Sequence, residues 1–79
     1  MPRYDVACQR ILRSIGEREV IRSIIRRANL SKIEERVMEM RYVERIEDMH
    51  VIADRMGYSY STVAKCHTSA TRKIMQFIV

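Results

Sequence analysis

Glycine and proline are nearly missing from this chain, at two residues and one residue in 79, and Pro2 stands at the very start. Such a shortage of turn formers favours a nearly all-helical chain with short connections. Cysteine is limited to Cys8 and Cys66, two isolated thiols rather than a disulfide framework, and both read as small core residues. No run of about 18 apolar residues is present, so no membrane span is expected. The N-terminus lacks an apolar signal region, which points to the cytoplasm. Acid pairs, nucleophile motifs and glycine-rich phosphate loops are also lacking. Ser14 and Ser23 have no partnered His and Asp, so neither an enzyme nor a cofactor is expected. His50, Cys66 and His67 do not have zinc-ligand spacing, because neighbours on a helix diverge by about 100°.

Positive charge is abundant, and its distribution says more than its total of +5. Residues 1–29 carry seven arginines against three acids, a balance of +4. Residues 30–58 carry five basic and seven acidic side chains, a balance of −2. Residues 59–79 carry Lys65, Arg72 and Lys73 with no acid at all, a balance of +3. A carboxylate-free segment suits approach to phosphates.

Apolar residues recur at helical spacing through most of the chain. The segment at about 3–28 has Cys8, Ile11, Leu12 and Ile15, then Ile21, Ile24, Ile25 and Ala28. Gly16 between the two sets allows either two helices or one long helix with a weak point. Asn29-Leu30 breaks the pattern. Ser31 is a good N-cap, and Glu34 three residues later completes a capping box. The following helix is expected to bury Ile33, Val37, Met40 and Tyr42. Residues 43–47 form a short connection, and Asp48 caps a helix over 49–56. Gly57-Tyr58 makes a turn, and Ser59 caps a last helix from Tyr60 to about Phe77. Its buried stripe is Val63, Cys66, Ala70, Ile74 and Phe77.

The stretch from Met49 to Thr68 carries the spacings of a helix-turn-helix. Ala53 is small where two helices cross. Gly57, four residues on, supplies the left-handed conformation that ends the first helix. Val63, six residues further, turns back onto the first helix, and Ile52, Met56 and Cys66 complete the buried set. The expected fold is therefore all-α: a small bundle of four to five helices in one domain, residues 1–79. Residues 1–29 form an N-terminal helical segment, and residues 30–79 contain the C-terminal helix-turn-helix.

Such a unit places its second helix in the major groove of double-stranded DNA. Base edges are read by short polar side chains, and phosphates are held by cations. Ser59, Tyr60, Ser61, Thr62, Lys65, His67, Thr68, Ser69 and Thr71 supply polar groups on the last helix. Serine and threonine are poor in helix interiors, so their clustering suits an interface. The exposed face is expected at Ser61, Ala64, Lys65, Thr68 and Arg72. Tyr60 suits stacking on a sugar or a thymine methyl, or packing against Tyr58.

From Leu30 onward the chain resembles region 4 of bacterial sigma factors. The resembling segments are Leu30–Tyr42, with Glu35-Arg36-Val37 and Arg41-Tyr42 inside it, then Ile52–Ser59, Ser61–Val63 and Ala70–Ile74. The likeness covers about 50 of the 79 residues. It implies sequence-specific binding of duplex DNA by a transcriptional regulator, with RNA polymerase as a further partner. It also implies a backbone-contacting role for Arg41. Housekeeping members carry an arginine and a glutamate near the start of the recognition helix and a glutamine a turn later. Here those positions are Tyr60, Ser61 and Lys65, which argues against the usual upstream promoter element. The chain has no room for the domain that binds core polymerase. The Tyr-Ser-Tyr-Ser run and the His67 to Ala70 pattern look closer to small sigma-like regulators of phages and mobile elements. The DNA-contacting set is then Arg41, Ser59, Tyr60, Ser61, Thr62, Lys65, Thr68 and Arg72.

Two other classes fit the same fold. A protein-interaction module contacting polymerase or an anti-sigma partner would use the acidic residues Glu34, Glu35 and Glu39. A DNA-packaging component of the small terminase type would also grip DNA with a helix-turn-helix. An apolar edge at Val6, Val20 and Leu30 offers a surface for a homodimer.

Overall fold

Five helices with no strand between them make up the described part of the chain, residues 4–78 of a computed structural model. They are α1 (Tyr4–Ser14), α2 (Arg18–Arg27), α3 (Lys32–Met38), α4 (Met49–Met56) and α5 (Tyr60–Ile78). The α3 helix runs directly into a π-helical turn, Glu39–Val43. The fold is thus all-α. The expected helix start at Arg3 lies outside the described residues, as does Pro2.

Local chemistry explains where most helices begin and end. Residues 15–17 separate α1 from α2, so Gly16 divides two helices rather than weakening one. Asn29 follows α2 with φ of 59°, a left-handed conformation that asparagine tolerates better than most side chains. The α3 start has a complete capping box: the Glu34 N–H donates to Ser31 Oγ at 3.2 Å, and the Ser31 N–H donates to Glu34 Oε1 at 2.9 Å. Asp48 caps α4 by accepting the His50 N–H at 2.8 Å. The connection before α4 is shorter than expected, because Val43 belongs to the π turn.

The buried side chains form two clusters on either side of the α3–π segment. Cys8, Leu12, Ile21, Ile25 and Ala28 meet Met38, Tyr42, Val43, Ala70 and Ile74 in the larger one. Val37, Met40, Ile52, Ala53 and Val63 form the smaller one, with Met56 and Cys66 packed half-buried at its edge. A segment buried on two sides cannot rely on a single helical stripe. The π turn presents Met40 to one cluster and Tyr42 with Val43 to the other. Its wider ring is closed by the Glu44 N–H donating to the Glu39 carbonyl at 2.9 Å. Helix α5 packs against all four other helices. The Cα radius of gyration, 11.5 Å, matches the roughly 12 Å of a closed globule of this length, so α1 and α2 belong to the same body.

Several side chains depart from the sequence expectation. Ile33 is exposed, because the inward stripe of α3 is Glu34, Val37 and Met38 and leaves Ile33 at its flank. Phe77 is exposed as well. Helix α5 outruns the core there, and Phe77 sits at the rim beside Arg27, Ala28 and Asn29. Leu30 packs against the larger cluster instead of lining an outer edge, while Val6 and Val20 remain exposed. No helix among the described residues is long and apolar enough to cross a membrane.

Candidate nucleic-acid interface

The exposed face of α5 takes its position from the turn that precedes it. Gly57 has φ of 74°. The Tyr58 N–H reaches back to the Ala53 carbonyl at 3.1 Å, and the Gly57 N–H reaches the Asp54 carbonyl at 3.3 Å. This paired closure is a Schellman motif, and its left-handed residue suits glycine. No atom beyond the adjacent residues lies within 4 Å of where a Gly57 Cβ would stand, so backbone conformation alone favours glycine here. Two residues later Ser59 caps α5, its Oγ accepting the Thr62 N–H at 3.2 Å and lying 2.9 Å from Thr62 Oγ1. Val63 is fully buried against Ile52 and Ala53, which fixes the rotation of α5 about its axis.

That rotation leaves Ser61, Lys65, Thr68 and Arg72 exposed. Their steps of four, three and four residues keep them on one helix face along roughly 16 Å of axis. Helix α5 contains no carboxylate. Among the described residues Ser61, Lys65 and Arg72 make no side-chain hydrogen bond or ion pair within the fold, so all three remain available to a ligand. Thr68 is partly committed, since its hydroxyl donates to the Ala64 carbonyl at 3.1 Å. Ser59 and Thr62 are exposed but act as the cap. The Tyr60 ring stacks on the His50 ring, with centroids 4.3 Å apart and planes at 23°, so its partner is His50 rather than Tyr58.

Two polar residues of α5 turn inward and a third is tied to a buried partner, all against expectation or unforeseen. His67 is buried, and its Nε2 lies 2.8 Å from the Tyr42 hydroxyl. Thr71 is fully buried and donates to the Thr68 carbonyl at 2.9 Å. Both fall on the inner row with Val63, Ala70 and Ile74, a spacing that the sequence carried and residue polarity masked. Lys73 is the third. Its Nζ lies 2.7 Å from Glu34 Oε1, across 39 residues of chain. One of the three cations of the carboxylate-free segment is therefore tied to a buried acid.

Glu34 is consequently a structural group and not part of an exposed acidic patch. Burial pushes its carboxyl pKa up. The hydrogen bonds from Lys73, Ser69 and both the backbone and side chain of Ser31 outweigh that and hold it at about 2. Glu35 and Glu39 are half-buried, and Glu39 Oε2 lies 3.9 Å from Arg22 Nε.

Arg41 sits on the π turn. Its guanidinium lies over the Tyr42 ring, 5.3 Å from the centroid. It shares the wall of a cavity with Arg13 and Arg45, to which no α5 residue contributes. Among the described residues no three His, Cys, Asp or Glu side chains converge as metal ligands would. The chain matches no protein-family model, no curated protein and no solved structure.

Proposed function

We propose that this protein is a sequence-specific binder of double-stranded DNA, a transcriptional regulator of the sigma region 4-like type seen in phages and mobile elements. Its α5 helix enters the major groove. The observation that supports this reading best is the row Ser61, Lys65, Thr68 and Arg72: exposed, free of carboxylates, and held in fixed rotation by the buried Val63 that follows the Gly57 turn and the Ser59 cap. Lys65, one turn into the row, is placed to donate to guanine O6 and N7, with Ser61 reading a neighbouring base edge. Arg72, two turns further, holds a backbone phosphate.

The test is a fluorescence-anisotropy titration on a duplex selected from a random pool. Lys65→Ala and Arg72→Ala should both weaken binding while melting like the parent, since neither side chain is in the core. Loss of Arg72 should weaken all sequences about equally and shallow the salt slope by about one unit. Lys65→Gln should instead change the preferred base at one position. Parent-like affinity in both alanine variants would sink the assignment of this face.

A further inference from the structure

A second basic feature lies where the N-terminal helices meet the π turn. A cavity of about 240 Å³, open to solvent, is lined by Arg13 at the end of α1, Arg41 and Tyr42 on the π turn, and Arg45 and Glu47 just beyond, with Leu12 at its base. Three arginines thus line one concavity together with one acidic residue. None of the three arginines lies within ion-pair distance of a described carboxylate, Glu47 included. Like charges held around one cavity repel one another, and a bound anion reverses that interaction.

The backbone under this cavity is unusual in two independent ways. The π turn of Glu39–Val43 places Arg41 and Tyr42 on its wall. Arg45 has φ of 61°, a left-handed conformation that disfavours a long side chain. Strained residues and π turns concentrate at binding sites, where the strain serves to aim a side chain. Arg41 is held further by its stacking on Tyr42, whose hydroxyl is bonded to His67.

We infer that this cavity is a phosphate-binding site. Guanidinium forks match phosphate oxygens in pairs, and three of them satisfy a doubly charged group that one cannot. The volume lies below the roughly 300–1,000 Å³ of sites that enclose whole drug-sized ligands. The occupant is therefore a phosphate or diphosphate group, either free or the exposed phosphate of a larger molecule. The site does not depend on the DNA reading of α5.

The test titrates the full chain with inorganic pyrophosphate by calorimetry. The parent should bind saturably with one site. Arg13→Gln and Arg45→Gly should each weaken binding about tenfold, the size expected for one charge-assisted contact. Arg45→Gly also relaxes the left-handed backbone, so it should fold at least as well as the parent. Arg26→Gln removes the same charge from an exposed position outside the cavity and should leave pyrophosphate affinity unchanged. Absence of saturable binding, or an equal loss in Arg26→Gln, overturns the site. A parallel titration of Arg13→Gln with duplex DNA identifies the source of the phosphate. Parent-like DNA affinity assigns the site to a free phosphate ligand, and a matching loss assigns it to the DNA backbone.

Discussion

Replacing Glu34 with Gln should make stability less dependent on acid pH. Glutamine retains the shape and the acceptor that the Ser31 N–H needs, since a capping box accepts either residue. The substitution therefore isolates the charge facing Lys73. Folding moves this carboxyl from an ordinary 4.5 to about 2. At about 1.4 kcal/mol per tenfold change in proton affinity, that gap sets a ceiling of about 3 kcal/mol. The Lys73 side chain is 41% exposed, so solvent screens its half of the pair. The expected loss at neutral pH is accordingly about 1–2 kcal/mol, or roughly 5–15 °C in melting temperature for a domain of this size. Because the folded pKa is lowered, the stabilisation is complete above pH 4.5 and disappears as pH falls through 2. Thermal melts of parent and variant by circular dichroism, from neutral pH to about pH 2.5, give the difference directly. Other carboxylates titrate in both proteins and cancel. The gap should be widest at neutral pH and close steadily below 4.5. A gap that stays constant over the whole range would refute the reasoning, as would a variant that melts like the parent at neutral pH.

Gly57→Val should cost about 1–3 kcal/mol through backbone strain alone, and Gly57→Asn much less, because asparagine accepts a left-handed φ. Urea unfolding of both variants checks this, and equal stabilities would mean that the turn lacks its positive φ. Tyr42→Phe removes the hydroxyl bonded to His67 and should lower stability by about 0.5–1.5 kcal/mol, the net worth of one hydrogen bond, read from the same urea curves. Conversely, Ile33→Lys should be neutral within about half a kcal/mol, as expected for a surface position. A large loss there would place Ile33 in the core after all.

What the sequence made legible is what short-range chemistry decides. The Ser31–Glu34 capping box, the Asp48 cap, the Gly57 turn and the Ser59 cap each depend on residues within a few positions of one another. They set the ends of α3, α4 and α5 closely. The exposure of Ser61, Lys65, Thr68 and Arg72 follows in the same way from one period and one anchor, Val63. Long-range partners were not legible. Glu34 turns inward because Lys73 meets it from α5, and His67 because Tyr42 is there. Polarity alone grouped Glu34 with an acidic docking surface and His67 with the polar groups of the last helix. The π turn depends on burial from two sides, which a single-stripe pattern cannot express. Arg41 drew attention through family likeness, but its grouping with Arg13 and Arg45 emerges only when α1 folds against the π turn.

Helix α5 packs against every other helix and also carries the exposed row from Ser61 to Arg72. Frame and exposed row are thus one element, with no hinge between them. A ligand seated on that row would pull on the whole folding equilibrium, stabilising the native state by about 2.7 kcal/mol at a concentration one hundred times its dissociation constant. Amide exchange should then slow throughout the core, at Cys8, Ile25 and Ile52 as much as at Lys65, because the openings that expose those amides would have to release the ligand first.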